Sequence, residues 1–132
     1  MKTKNLSQKV FFKAAPHDVY EALMDSKKHA IFTDDEAYVS RKVGGEFGVY
    51  GESIHGKNLQ LIPDKKIVQT WQCETETWPA GHFSKVTFEF ALLNGGTELT
   101  LTHDDIPEGE YEDIKTGWET YYWAPMKKML EK

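Results

Sequence analysis

The middle of the chain consists of short segments of alternating polar and apolar residues that are separated by glycine-containing turns. Such alternation is typical of β-strands with one buried face. The segments occupy about residues 37–42, 46–54, 57–62, 66–74, 83–93 and 97–103. The turns include Gly44-Gly45, Gly51, Gly56 and Asn94-Gly95-Gly96, and connections this short join neighbouring antiparallel strands. The sequence therefore predicts an antiparallel meander.

A strand and two short helical patterns precede the meander. Residues 6–13 alternate as a strand, and Pro16 then opens a helix that ends near Met24. The second helix is predicted from Ser26 to Phe32, and Ser26 is a suitable N-cap for it.

The longest helical pattern follows the meander, from Glu110 to about Leu130. Its apolar residues recur close to every 3.6 positions, so one face must be buried, and Pro125 should kink or briefly break the helix. The face of a twisted sheet is the only surface large enough to cover it. We therefore expect an α+β fold in which a curved antiparallel sheet of six or seven strands wraps around the C-terminal helix. Without repeats or linkers, residues 1–132 are expected to form a single domain.

Composition limits the classes of partner. The formal net charge is −5 and the lysines are scattered, which disfavours nucleic-acid binding.

No apolar run approaches membrane-spanning length, and no secretory signal is recognised at the N-terminus, so we expect a cytoplasmic protein. The lone Cys73 excludes an internal disulfide and a cysteine-based zinc site, and a buried or half-buried inert thiol is expected.

Catalytic motifs are not found. The five histidines share no metal-ligand spacing, and no nucleophile elbow or phosphate-binding loop occurs. His103 is expected at an inward position at the end of a strand, next to Asp104 and Asp105, where it would form an ordinary hydrogen bond or, as the less favoured alternative, an acid–base pair. We therefore expect no catalytic residue, no metal, no cofactor and no enzymatic activity.

Aromatic residues make up 13% of the chain, and many fall at inward positions of the predicted strands and helix. These inward residues are Phe47, Trp71, Phe88, Phe90 and Trp118. They either fill a core completely or line a residual cavity between helix and sheet. The sequence leaves both alternatives open.

A series of short motifs, in order along nearly the whole chain, resembles a known family. The motifs are Phe12-Lys13-Ala14-Ala15-Pro16, Val19-Tyr20-Glu21-Ala22-Leu23, Gly44-Gly45-Glu46-Phe47, Leu61-Ile62-Pro63-Asp64-Lys65-Lys66-Ile67-Val68, Trp78-Pro79-Ala80-Gly81-His82-Phe83-Ser84, Gly96-Thr97-Glu98-Leu99-Thr100-Leu101-Thr102 and Gly117-Trp118 with Tyr121-Tyr122-Trp123. They resemble the activator of heat-shock protein 90 (Hsp90) ATPase homologue family, within the START-like (SRPBCC) helix-grip superfamily. The similarity is greatest to the C-terminal domain of the eukaryotic co-chaperone.

The resemblance implies a binding module that contacts Hsp90 and stimulates the chaperone's ATPase. We expect the protein to lack the separate N-terminal domain of the full co-chaperone, and the sequence spaces Trp71 and Trp78 more widely than the family does. A partner site should appear as an exposed apolar patch, for which Trp78, Phe83 and Trp123 are the candidates. For each of the three, packing at the edge of the core is an equally good alternative.

Stand-alone bacterial members of the family suggest an alternative, a carrier or sensor of a small apolar ligand bound between helix and sheet. The residues expected to bind such a ligand are Trp71, Phe88, His103, Trp118 and Tyr122.

Overall fold

The computed structural model describes residues 1–131, which contain seven strands and four α-helices. The first half comprises β1 (Thr3–Phe12), α1 (Pro16–Met24), α2 (Ser26–Thr33), β2 (Ala37–Val39), β3 (Glu46–Val49) and β4 (Ile54–Ile62). The second half comprises β5 (Lys66–Cys73), β6 (Ser84–Leu93), β7 (Gly96–Pro107), a 3₁₀ turn (Glu108–Glu110), α3 (Tyr111–Gly117), a π-helical segment (Trp118–Trp123) and α4 (Ala124–Leu130).

The strands form one curved antiparallel sheet in the order β1-β7-β6-β5-β4-β3-β2. Strands β2 to β7 are each paired with the next strand in sequence, which confirms the predicted meander. Helices α1 and α2 connect β1 at one edge to β2 at the other, and the C-terminal helical stretch buries its aromatic face. This is the expected helix-grip fold.

The predicted alternation of buried and exposed side chains is confirmed in β6 and β7. Side chains of Val86, Phe88 and Phe90 in β6 are buried, as are those of Leu99 and Leu101 in β7. Continued to the end of the strand, this alternation predicts an inward Leu92, and that prediction is wrong: Leu92 is 73% exposed, at the end of β6 and one residue from the β6–β7 turn.

Several strand limits differ from the predictions, most clearly around Gly56. The predicted strand 46–54 ends at Val49, and Gly56, predicted to lie in a turn, is inside β4. A Cβ atom at position 56 would lie 1.9 Å from the carbonyl oxygen of Thr70 on β5. Glycine is needed here because it lets the two backbones approach closely.

The N-cap of α2 also differs from the prediction. Asp25, not Ser26, caps the helix, because the Asp25 side chain accepts a hydrogen bond from the backbone N–H of Lys28. The Ser26 hydroxyl instead accepts from the N–H of Val39 at 2.8 Å and donates to the carbonyl of Val39 at 3.3 Å. Ser26 thus joins α2 to the edge strand β2.

Pro125 interrupts the C-terminal helix, as predicted. The π-helical segment lies directly before α4, and Pro125 has no N–H to donate to the carbonyl of Tyr121 one turn earlier. The hydroxyl of Tyr50 donates to that carbonyl at 3.3 Å instead. The interruption therefore connects the helix to the β3–β4 turn.

The close approach at Gly56 gives a stability prediction. Gly56→Ala should lower the free energy of unfolding by at least about 2 kcal/mol, because the new methyl group would force β4 and β5 apart. Gly109→Ala is the matched control, since a Cβ there has nothing within 4 Å, and it should change stability by less than about 0.5 kcal/mol. Urea denaturation of both variants tests this, and equal stabilities would contradict it.

Candidate functional site

The centre of the interior contains a hydrogen-bonded network around His103. The indole N–H of Trp118 donates to Nδ1 of His103 at 3.1 Å. The ring proton is therefore on Nε2, which donates to Oγ of Ser84 at 2.8 Å. The Ser84 hydroxyl then donates to the carbonyl of Trp71 at 3.0 Å. Both ring nitrogens of His103 are occupied, so neither is free to bind a ligand.

Burial keeps His103 neutral. Its side chain is fully buried, and desolvation lowers its pKa from 6.5 to about 3. His103 lies inside β7 rather than at its end, and its hydrogen bonds go to Trp118 and Ser84, not to Asp104 or Asp105. The acid–base alternative therefore has no support in the geometry.

A second buried network joins the C-terminal helix to α1 and α2. Nδ1 of His29 donates to the carbonyl of Leu23 at 3.0 Å, so Nε2 accepts the hydroxyl proton of Tyr122 at 2.8 Å. Burial lowers the pKa of His29 to about 4 and raises the pKa of Tyr122. The Tyr122 hydroxyl is thus engaged inside the protein and does not face a ligand.

The space between helix and sheet is almost filled. A void of about 10 Å³ remains among Leu23, Phe47, Phe88 and their neighbours, which is room for at most one water molecule. A packed core, rather than a deep ligand cavity, is therefore the arrangement in this part of the described chain. Phe88 and His103, both expected to bind a ligand, belong to this core.

A larger opening lies at the edge of the core, between α3, the π-helical segment, and strands β4 and β5. This edge cleft has a volume of about 220 Å³. Its apolar lining consists of Tyr50, Ile54, Trp71, Cys73, Ile114, Gly117, Trp118, Tyr121 and Tyr122, and its polar lining consists of Thr75, Glu110 and Asp113. Three of the expected ligand-binding residues, Trp71, Trp118 and Tyr122, therefore line one cleft.

The polar lining of the edge cleft includes a residue that the sequence did not indicate as part of a site. Glu110 is only 5% exposed, and its Oε1 accepts hydrogen bonds from the hydroxyls of Thr75 and Thr77.

Cys73 is half-buried as expected, and burial together with the negative charges of Glu110 and Glu74 raises its pKa to about 11. The thiol therefore stays protonated and unreactive at neutral pH.

Two of the three residues expected in an exposed patch are not at the surface. Trp78 and Trp123 are buried, and their indole N–H groups donate to the carbonyl of His82 and to Oε1 of Gln8, both at 2.8 Å. They therefore do not form an exposed patch, and packing at the edge of the core, the alternative that the sequence left open for them, is what the structure shows. Phe83 is 45% exposed, so it alone of the three can contact a partner directly.

Phe83 lies in a groove on the outer face of the sheet, which we call the outer groove. It has a volume of about 510 Å³ and is lined by Tyr38, Glu46, Phe47, Glu52, His55, Gly56, Lys57, Glu74 and Phe83. Tyr38 pairs with Gly48, which pairs with His55, and the side chain of Glu52 lies over Gly48 between these two larger side chains. Nε2 of His55 is hydrogen-bonded to Oε1 of Glu74 at 2.8 Å, and the His55 ring packs edge-on against Phe83. Three glutamates against one lysine give the outer groove a negative charge.

The chain matches the model of one protein family, described as activator of Hsp90 ATPase homolog 1-like protein, over residues 13–131. The chain belongs to this family. It is 31% identical over 126 residues to the activator of 90 kDa heat shock protein ATPase homolog 1 of Homo sapiens, and 36% identical over 118 residues to the Dictyostelium discoideum homologue. These alignments cover 96% and 89% of the chain but only 37% and 30% of the relatives, so the chain spans about a third of their length.

A solved structure is similar over its whole length. The crystal structure of an Hsp90 activator from Plasmodium falciparum superimposes with a TM-score of 0.88 at 26% identity, covering 96% of each chain. The family resemblance expected from the sequence motifs is thereby confirmed.

Within residues 1–131, no helix is sufficiently long and apolar to cross a bilayer. The same residues contain no cluster of three metal-ligating side chains.

The buried histidine His29 gives a pH prediction. In the unfolded chain its pKa is near 6.5, but in the folded protein it is about 4, so below pH 6.5 protons bind preferentially to the unfolded state. His29→Gln retains a donor and an acceptor but cannot titrate. Between pH 8 and pH 5 the parent should lose about 2 kcal/mol more stability than this variant does.

The measurement is urea denaturation of both proteins across that pH range. Carboxylate titration is common to both and cancels in the difference. Parallel pH profiles would show that His29 is not held neutral in the fold.

Proposed function

We propose that this domain is a non-enzymatic binding module that engages Hsp90 and stimulates the chaperone's ATPase, with the ATP hydrolysed by the chaperone. The observation that carries the proposal is the family match over residues 13–131, with relatives named as Hsp90 activators in Homo sapiens and Dictyostelium discoideum. A solved chain matched over 96% of its length is likewise described as an Hsp90 activator, which supports activity in a unit of this size. A cytoplasmic location fits this role.

The outer groove is the surface that best suits a chaperone partner. Tyr38 and Phe83 are 62% and 45% exposed and offer two aromatic faces, and aromatic residues are enriched at protein interfaces. Glu46, Glu52 and Glu74 surround them. Such a surface suits a basic patch on the partner, and the association should weaken as salt increases.

The edge cleft favours a second candidate function, the binding of a small ligand. Its volume of about 220 Å³ exceeds the roughly 150 Å³ of an engineered cavity that binds benzene. Its walls are mainly aromatic, as in many small-molecule sites. We propose that it takes a small molecule with a largely apolar body.

The chaperone proposal predicts a specific defect. The parent domain should raise the steady-state ATPase rate of Hsp90 from the same source. A double variant, Tyr38→Ala with Phe83→Ala, should bind Hsp90 at least about ten-fold more weakly, because it loses both aromatic faces of the outer groove. Both substitutions are at exposed positions, so its melting temperature should stay close to that of the parent.

Leu92→Ala is the matched control, since it also removes an exposed apolar side chain, but near the β6–β7 turn. It should behave as the parent in calorimetric binding and in the ATPase assay. If the parent leaves the ATPase rate unchanged, the chaperone proposal is wrong. If the parent stimulates but the double variant does so equally, the proposed contact surface is wrong.

A further inference from the structure

We propose that the edge cleft binds an organic ammonium group attached to an apolar body, an inference that rests on the ligand-binding function proposed above. The lining of the cleft combines two kinds of side chain. Aromatic rings, among them those of Trp71, Trp118 and Tyr121, line it together with the carboxylates of Glu110 and Asp113. Among residues 1–131, no lysine or arginine lines the cleft, so a cation entering it meets no side chain of like charge from this part of the chain.

The carboxylate of Glu110 is fixed in place before any ligand arrives. Its Oε1 accepts the hydroxyl protons of Thr75 and Thr77. Its other oxygen, Oε2, accepts no hydrogen bond from the described residues. In the described residues, every buried side-chain oxygen or nitrogen atom has a hydrogen-bond partner. Oε2 has no partner, so it is not a buried atom and must reach the surface. It is therefore an available acceptor on a side chain that is otherwise 95% buried and that lines the cleft.

An ammonium group satisfies this arrangement better than a neutral or anionic group does. A charged donor forms stronger hydrogen bonds with a carboxylate than a neutral donor does. The aromatic walls add cation–π attraction, which is larger where water is excluded. A carboxylate ligand would be repelled by Glu110 and Asp113, and a purely apolar ligand would leave Glu110 Oε2 without a partner.

The volume of the edge cleft limits the apolar body. About 220 Å³ lies below the 300–1,000 Å³ that is usual for drug-sized ligands. The ligand should therefore be a fragment with a single ring or a short alkyl chain. Ligands of this size bind with dissociation constants of roughly 0.1–1 mM.

The test compares 2-phenylethylamine with 2-phenylethanol, a neutral molecule of the same shape, by NMR titration of the labelled domain at constant ionic strength. The amine should bind at least ten-fold more tightly and shift amides of α3 and β5. Glu110→Gln retains an acceptor for both threonines and should reduce the preference for the amine to less than about three-fold. Glu112→Gln is the control, because it removes an exposed carboxylate two residues away that does not line the cleft.

The outcomes of these titrations separate the ammonium inference from the broader proposal that the edge cleft binds a ligand. Equal binding of amine and alcohol overturns the ammonium inference and leaves a ligand-binding cleft. Binding of neither overturns the ligand proposal as well, whereas the Hsp90 proposal is tested separately by the ATPase rate. If Glu110→Gln does not fold, Asp113→Asn, an exposed position that lines the cleft, replaces it with the same expected direction. A parallel titration uses Nα-acetyl-lysine methylamide, which carries a lysine side chain as a partner protein would present it. Comparing its affinity with that of 2-phenylethylamine distinguishes a partner's lysine from a free amine as the group that the cleft binds.

Discussion

The indole of Trp118 is the side chain on which the interior depends. Five other aromatic rings have their centroids 4.8–6.0 Å from it, those of Trp71, Phe88, His103, Tyr122 and Trp123. Its N–H is buried and needs an acceptor, because an unpaired donor in the core would cost about 1–3 kcal/mol. His103 can accept it only as the neutral tautomer with its proton on Nε2, and that proton in turn needs Ser84. The helix, β7 and β6 are thus linked by one directional chain of hydrogen bonds.

This packing determines where the domain can bind other molecules. Because the core between helix and sheet leaves only about 10 Å³, a ligand cannot enter it without displacing aromatic side chains. Among the openings at the surface, we assign roles to the edge cleft, of about 220 Å³, and to the outer groove, of about 510 Å³. The first has an aromatic wall and a fixed carboxylate, and the second has exposed aromatic residues among glutamates. The two surfaces are lined by different residues and differ in chemistry, so their proposed roles can be tested independently.

Much of the fold was predictable, because local residue patterns indicate its strands and helices and because a series of family motifs occurs in order along the chain. The alternation of Val86, Phe88 and Phe90 identified the buried face of β6, and Pro125 marked the interruption of the helix. The position of Gly56 was not predictable in this way, because its role depends on Thr70 of the neighbouring strand.

The site was less predictable, because its geometry depends on contacts between residues far apart in the sequence. Trp78 lies in a loop without periodicity, so no pattern could show that its ring packs against Trp71. Glu110 resembled any acidic residue at the start of a helix, and its burial depends on Thr75 and Thr77, which lie more than thirty residues earlier.

The central claim is that the interior is a filled and fixed core, in which His103 is a neutral structural side chain. The most direct test is a long-range ¹H–¹⁵N correlation spectrum of the histidine side chains, recorded between pH 8 and pH 5. The account predicts that His103 stays in one neutral tautomer, protonated on Nε2, throughout that range, because its pKa is near 3. A tautomeric mixture, or a titration of His103 near pH 6.5, would contradict it.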